Sequence, residues 1–174
     1  MRTSQDWWDE VLGSDELLKD WLMKQYHGEA TAANRIIYFR DLYCEDLRAA
    51  QLLSRIAHEE ETHAEWVATL LRARDLTPAI LPKEERYWQL TLAGIDSFET
   101  GAAVAAHAEA MRLDRIRVIV NDPRTPSDIR DVFAKILPQE IGHERMFAAL
   151  AGEAALAQTQ GAHELGMRAL GLFA

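Results

Sequence analysis

The sequence predicts an all-α protein, a four-helix bundle made of two duplicated helix pairs with a long crossover between helices 2 and 3. Apolar residues recur at steps of three and four along four long segments, as they do on one face of an α-helix. The clearest break in the chain, at residues 75–83, contains two prolines and separates these segments into two pairs. Residues on either side of that break repeat at an offset of 80 positions, which indicates a duplicated helix pair.

The length of the chain predicts a single domain. With 174 residues it can bury one full hydrophobic core but is too short for two domains of ordinary size. The predicted parts are an N-terminal arm at 1–13, a first helix pair at 15–75, a crossover at 76–96, a second helix pair at 97–152 and a C-terminal tail helix at 153–174.

The first helix pair has recognisable ends. Ser14 and Asp15 offer side-chain oxygens for an N-cap, and apolar residues then continue at helical spacing to about Tyr43. The second helix is predicted from about Asp46 to about Arg74. Both apolar stripes are therefore expected to face the interior.

The second pair follows the same logic. Asp96 or Ser97 is predicted to cap the third helix, which extends to about Val120, and Ser127 or Asp128 is predicted to cap the fourth. The alternation of helix and turn thus gives four long helices, two on each side of the crossover.

Three shorter segments complete the predicted fold. The arm contains Trp7 and Trp8 and is expected to form about one helical turn against the bundle. Residues 84–94 can form a short helix within the crossover. An amphipathic stretch at about 162–172 is expected on the outside of the bundle or in a subunit contact.

Carboxylate and imidazole side chains interrupt the apolar stripes of all four long helices. Two Glu-x-x-His motifs, one in the second helix and one in the fourth, place a carboxylate and an imidazole on one face with Cβ atoms about 5–6 Å apart. A further glutamate lies 31 residues before the glutamate of each motif. The six predicted metal ligands are Glu29, Glu60, His63, Glu109, Glu140 and His143.

This ligand set indicates a dinuclear metal site. One glutamate on each of two helices and Glu-x-x-His on each of the other two is the inward pattern of carboxylate-bridged dinuclear proteins. Four carboxylates and two neutral imidazoles carry about −4, which two divalent ions neutralise. Without metal these groups would face a large desolvation penalty or would have to take up protons. The alternative, a metal-free bundle with the six residues as surface charges, conflicts with their positions on apolar stripes.

The composition excludes several other classes of function. The net charge of −9 argues against a nucleic acid or an anionic membrane as a partner. No segment reaches the roughly 20 apolar residues of a membrane-spanning helix, and residues 1–13 lack an apolar signal core, so we expect a cytoplasmic protein. Cys44 is the only cysteine, which excludes four-cysteine metal sites within one chain.

Two features of the second helix pair bear on the site. The small residues at 101–103, 105 and 106 lie just before Glu109 and either let helices approach closely or leave room for a substrate or an oxygen channel. Pro138 lies inside the fourth helix, two residues before Glu140, where it should kink or bulge the helix because its nitrogen cannot donate a hydrogen bond.

Other polar residues have candidate roles near the metals. Tyr26, one turn before Glu29, and Asp114 or Arg115, after Glu109, can orient ligands, although surface or packing roles are equally open. Among the remaining histidines, we predict structural roles for His27 and His107 and solvent exposure for His58 and His163.

Three runs of residues share more than metal ligands with one known family. They are Gly28-Glu29-x-x-Ala32-x-Asn34-Arg35-x-x-Tyr38-Phe39, Glu60-x-x-His63-Ala64 and Ile129-x-x-Val132-Phe133-x-x-Ile136-x-x-x-Glu140-x-x-His143-Glu144. They resemble the rubrerythrin family of the ferritin-like superfamily, and the resemblance covers about residues 15–75 and 97–150. It implies a ferritin-like four-helix bundle.

The resemblance also implies two iron ions, for which manganese or zinc could substitute. Glu60 and Glu140 would be bridging carboxylates, and the other four ligands would complete the two coordination shells. Two departures from the family stand out. Arg112 occupies the position of an additional third-helix glutamate, which puts the family's peroxide-linked ligand exchange in question. The four-cysteine rubredoxin domain is absent from this sequence, so an external electron donor is expected.

The leading functional hypothesis is a non-haem diiron oxidoreductase that reacts with dioxygen or peroxide. A ferroxidase or iron-handling protein and a diiron oxygenase or desaturase for a small organic substrate stay open, as does a structural or storage metal site. We expect a homo-oligomer, with a dimer as the first expectation.

Overall fold

The chain is all-α in the computed structural model, which describes residues 3–82 and 85–172 and contains no β-strand within them. The predicted all-α fold is confirmed. The helices are α1 Ser4–Val11, α2 Asp15–Tyr43, α3 Leu47–Arg72, α4 Arg86–Thr91, α5 Phe98–Asn121 and α6 Ser127–Ala169, with a 3-10 turn at Leu92–Gly94. Among the described residues, no helix combines the length and the apolar character needed to cross a membrane.

The first two long helices begin where the sequence predicts. Ser14 Oγ accepts a hydrogen bond from the Leu17 amide at 3.1 Å, and Asp46 Oδ1 accepts one from the Ala49 amide at 2.8 Å. Each bond satisfies an amide that has no partner within its helix. Capping chemistry is local, so these ends could be predicted from the sequence alone.

Helix α3 ends slightly earlier than predicted, and its end has an identifiable cause. Asp75 adopts a left-handed conformation with φ of 59°. The Leu76 amide then donates to the Leu71 carbonyl at 3.0 Å, and the Asp75 amide donates to the Arg72 carbonyl at 3.0 Å. This pair of bonds is a Schellman motif, which satisfies carbonyls at the helix end and reverses the chain.

The structure divides into two compact units. The α2–α3 unit contains residues 8–82 and 119–136, and the α5–α6 unit contains residues 3–7, 85–118 and 137–172. In the α2–α3 unit, α2 packs against α3. Each unit supplies one of the duplicated sets of predicted ligands.

An aromatic cluster forms part of the core of the α2–α3 unit. The Trp8 side chain is fully buried, and its ring meets the Trp21 ring edge to face with centroids 4.8 Å apart. Trp21 in turn lies 5.5 Å from the Phe133 ring. The Trp8 indole nitrogen donates to Thr125 Oγ1 at 3.0 Å. Helix α1, which carries Trp8, has eight residues and is longer than the single turn predicted for the arm.

In the α5–α6 unit, the short helix α4 packs against the end of α6. The Tyr87 hydroxyl lies 2.8 Å from His163 Nδ1, and the His163 ring stacks on the His107 ring at 4.7 Å. The predicted solvent exposure of His163 is wrong, since this side chain is only 9 % exposed. Glycine at position 166 allows α4 to approach α6 this closely, because a Cβ atom there would lie 2.6 Å from a Tyr87 ring carbon. The predicted helix over 84–94 begins at Arg86, and residues 83 and 84 lie outside the described residues.

Helix α6 contains one break in its helical dihedral angles. Gly152 has φ of 72° and ψ of 165°, a conformation that glycine adopts without a steric penalty. The break therefore lies next to residue 153, where the sequence predicts the start of the tail helix, and the amphipathic stretch predicted at about 162–172 begins within that helix. Pro138 lies inside α6 and keeps helical dihedral angles, and the kink expected near it stays a prediction.

Candidate metal centre

The α2–α3 unit brings together three of the six predicted ligands. Helix α2 contributes Glu29, and α3 contributes Glu60 and His63 from successive turns of one face. His63 Nδ1 lies 3.9 Å from Glu29 Oε2 and 3.9 Å from Glu60 Oε2. All three side chains are fully buried, and one potential ligand atom from each lies within 4.8 Å of the others. We call Glu29, Glu60 and His63 the first ligand group.

A side chain that the sequence analysis missed supports the first ligand group. Gln25 Nε2 donates to Glu29 Oε1 at 2.8 Å, while Glu29 Oε2 is the oxygen nearer to His63. This bond comes from the residue next to Tyr26, the predicted candidate. The contact could have been predicted from the four-residue spacing between Gln25 and Glu29, because side chains four residues apart on a helix are neighbours.

The α5–α6 unit brings together the other three predicted ligands. Helix α5 contributes Glu109, and α6 contributes Glu140 and His143. Glu140 and His143 are fully buried, and Glu109 is 9 % exposed. His143 Nδ1 lies 3.5 Å from Glu140 Oε2, and potential ligand atoms of all three residues lie within 4.8 Å of one another. We call Glu109, Glu140 and His143 the second ligand group.

Arg112 also reaches the second ligand group. This residue lies one turn after Glu109 on α5, and its Nη2 atom forms an ion pair with Glu140 Oε1 at 3.2 Å. The Arg112 side chain is 20 % exposed, whereas the carboxylate it meets is fully buried. A guanidinium keeps its positive charge at any pH at which the protein is folded. The residue noted in the sequence as a departure therefore contacts a predicted ligand directly.

Two of the predicted supporting residues lie on α5, after Glu109. Asp114 is exposed and pairs with the exposed Arg117 at 3.1 Å, so it does not orient a ligand as predicted. The Arg115 guanidinium lies 4.7 Å above the Trp7 ring in a cation–π contact. Asp114 is therefore turned toward solvent, whereas the supporting roles of Tyr26 and Arg115 stay predictions.

The histidines outside the ligand groups follow the predictions in three of four cases. His27 is buried, and its Nδ1 accepts a hydrogen bond from the Leu81 amide at 3.0 Å. His107 Nε2 lies 3.2 Å from the Leu156 carbonyl oxygen, which is also a structural contact. His58 is exposed and lies 3.4 Å from Glu61. Only His163 differs, as described above.

The Tyr87 phenol connects the tail helix electrostatically to the second ligand group. Burial of the phenol is the main cause that raises the pKa of Tyr87, and the negative charge of Glu109 raises it further. The hydroxyl therefore keeps its proton and can donate it to His163 Nδ1. Burial is also the main cause that lowers the pKa of His163, and the neighbouring His107 lowers it further.

Each ligand group fits a metal cation by the chemistry of its donors. Two carboxylates and one imidazole converge in each group, and removing carboxylates from water is unfavourable unless cations or protons balance them. A cation bound to both carboxylates would relieve their mutual repulsion as well. Oxygen and nitrogen donors without thiolate suit iron, manganese or zinc. The residues present are therefore compatible with a metal site in each unit.

Comparison with known families adds a second kind of observation. The sequence model of the family described as Rubrerythrin matches residues 20–151, which is well over half of the chain. The chain belongs to the rubrerythrin family. The match includes all six predicted ligands, and together with the helices it establishes an all-α ferritin-like bundle. No curated protein and no solved structure matched the sequence.

Membership in the rubrerythrin family relates the buried glutamates and histidines to metal binding. Proteins of this family typically bind iron. Both ligand groups of this chain lie within the matched residues, and both could hold a metal ion. Arg112 lies within the matched residues too, and its guanidinium pairs with Glu140 there.

Proposed function

We propose that this rubrerythrin-family protein is a non-haem diiron-carboxylate oxidoreductase that reacts with dioxygen or peroxide. The observation that carries the proposal is the duplicated ligand group, with two glutamates and one histidine in each unit of the chain. We assign the six ligands to two iron ions in one dinuclear centre, with Glu60 and Glu140 as the bridging carboxylates. The duplicated motifs and the family membership support this assignment.

The irons, when bound, supply electrons and Lewis acidity for the reduction of dioxygen or peroxide. The protein's own residues set the conditions for that chemistry. The Gln25 amide fixes one oxygen of Glu29, which leaves the other oxygen directed toward His63. In the second ligand group, the Arg112 guanidinium pairs with Glu140 and balances part of its negative charge as long as no metal is bound.

Apolar side chains keep water away from the ligands. Ile56 lies one turn before Glu60, Val67 lies one turn after His63, and both are fully buried. Phe147, one turn after His143, is 1 % exposed. In such surroundings the interactions between charged groups are stronger than in water, and side reactions with solvent are limited.

The small residues before Glu109 bear on the oxygenase alternative. Ala102 and Ala103 are fully buried, and Ala106 is 3 % exposed. Their burial supports the interpretation that small side chains serve packing, and it gives no support to an open substrate entrance at these positions. We therefore place the oxidoreductase before the oxygenase.

We further propose that the protein receives electrons from an external donor and that it forms a homo-oligomer, with a dimer as the proposed state.

The ligand assignment can be tested by metal analysis of variants. In protein produced with iron, the wild type should contain about two metal ions per chain. The Glu60→Ala and His143→Ala variants should each lose at least one of them, because each substitution removes a ligand. Glu61→Ala and His58→Ala are matched controls, since these neighbouring side chains are exposed and should not affect metal content. Unchanged metal content in either ligand variant would contradict the assignment.

A further inference from the structure

We propose that Arg112 takes the place of a metal cation at Glu140, so that it stabilises the metal-free protein and competes with metal for this carboxylate. The inference rests on the proposed metal-binding function of the second ligand group. It concerns a residue that is not itself a ligand but that sets how tightly metal binds.

The positions of the two Glu140 oxygens lead to this inference. Oε1 lies 3.2 Å from Arg112 Nη2, and Oε2 lies 3.5 Å from His143 Nδ1. A carboxylate that binds metal through both oxygens needs Oε1 as well as Oε2. The guanidinium therefore lies beside an oxygen that a bridging or bidentate Glu140 would direct toward metal.

The positive charge of Arg112 has opposite effects on the stability of the metal-free protein and on metal affinity. Glu140 is fully buried, and a buried carboxylate is strongly destabilising unless a cation compensates for its lost hydration. The permanently charged Arg112 provides this compensation in the absence of metal. When a divalent cation binds the same carboxylate, the guanidinium repels it. One interaction thus raises the stability of the metal-free protein and lowers the affinity for metal.

The side chain of Arg112 also has access to water. It is 20 % exposed, and a long arginine side chain can keep its apolar stem packed while its charged end moves toward solvent. The ion pair can therefore separate when metal binds without leaving a buried guanidinium uncompensated.

The test compares Arg112→Gln with the wild type in two measurements on full-length protein. After metal removal, the variant should unfold at a temperature lower by at least about 3 °C, because Glu140 loses its cation. In zinc titrations against a chelator, the affinity for at least one of the bound ions should rise about tenfold, because the repulsion is removed. A residue with a purely structural role would not change these two properties in opposite directions.

Two further variants serve as controls. Arg117→Gln removes an exposed arginine from the same helix and should change neither the unfolding temperature nor the zinc affinity. Arg112→Lys keeps the charge and should keep zinc affinity within about threefold of the wild type. This variant also tests the role of charge if Arg112→Gln does not fold. A tenfold gain in the lysine variant would overturn the proposal, because charge is its stated cause.

The remaining outcomes separate this inference from the proposed function. If the wild type binds two metal ions but Arg112→Gln binds zinc with equal or lower affinity, the inference is wrong and the diiron assignment stands. If the wild type binds neither zinc nor iron, the proposed function fails and the inference fails with it.

Discussion

Gln25 and Arg112 show how single side chains adjust two ligand groups that share the same motif. Gln25 donates a neutral hydrogen bond to Glu29 at 2.8 Å, and Arg112 brings a full positive charge to within 3.2 Å of Glu140. Residues that contact ligands in this way fix their orientation and modify their affinity for metal. The two groups therefore have the same donor types but different chemical surroundings.

The contribution of Gln25 is open to a direct test. Gln25→Leu keeps a side chain of similar size but removes the amide that orients Glu29, so metal affinity should fall by about tenfold or more. Competition with a chromogenic chelator measures the affinity. Gln51→Leu, at an exposed position on α3, is the control and should bind metal as the wild type does. Equal affinities in the two variants would show that the bond to Glu29 has no role in metal binding.

At the residue scale, the sequence predicted what depends on spacing and missed what depends on side-chain direction. Glu60 and His63 lie on one face of α3 because of their three-residue spacing, and their proximity followed from helix geometry. Asp114 lies five residues after Glu109 but is turned toward solvent. The Arg112 contact depends on the conformation of a long side chain, which no sequence pattern specifies.

Among the elements, the tail of α6 has a contact that the sequence did not predict. The sequence predicted an amphipathic stretch on the outside of the bundle or in a subunit contact, and its face with His163 and Gly166 packs against α4. Helix starts at Ser14 and Asp46 were predictable because an N-cap bond involves residues three apart in the chain. The burial of His163 depends on a contact with a residue 76 positions away, for which the sequence offered no local signal.

The packing of α4 on the tail helix gives a prediction with a matched control. Gly166→Ala places a methyl group 2.6 Å from the Tyr87 ring and should lower the free energy of unfolding by about 1–3 kcal/mol. Gly161→Ala, in the same helix, meets no atom within 4 Å and should raise stability by up to about 1 kcal/mol. Chemical denaturation of both variants measures the difference. Two changes of the same sign and size would contradict the described packing.

The buried His163 predicts a pH dependence of stability. Burial, with a further contribution from His107, lowers the pKa of His163 in the folded protein, so the unfolded chain binds a proton more readily. Stability is therefore lost as pH falls from about 7 through the ordinary histidine pKa near 6.5 toward the lower folded value. The melting temperature of the metal-free protein should decrease over this range.

A variant isolates this contribution. His163→Gln removes the titrating group and should flatten the decrease in melting temperature between about pH 7 and pH 5. His58→Gln changes an exposed histidine and should keep the slope of the wild type. Identical slopes in His163→Gln and the wild type would show that His163 does not link folding to pH.

For the whole molecule, the duplication was the strongest signal in the sequence. Helical periodicity predicted four long segments, and their repetition predicted two equivalent sets of ligands. The structure confirms the all-α fold, and the family match confirms the ferritin-like class. The sequence placed the boundary between the second helix pair and the tail helix at residues 152 and 153, and the helical dihedral angles break at Gly152.

The most direct test of the central claim is the reaction of the wild-type protein with oxidants. Protein produced with iron should contain about two iron ions per chain. After anaerobic reduction it is mixed with dioxygen and, separately, with peroxide, while near-ultraviolet absorption of ferric iron is followed in a stopped-flow instrument. Oxidation of both irons within seconds by at least one oxidant is the predicted result. One metal ion or none, or tightly bound zinc with no response to either oxidant, would contradict a diiron oxidoreductase.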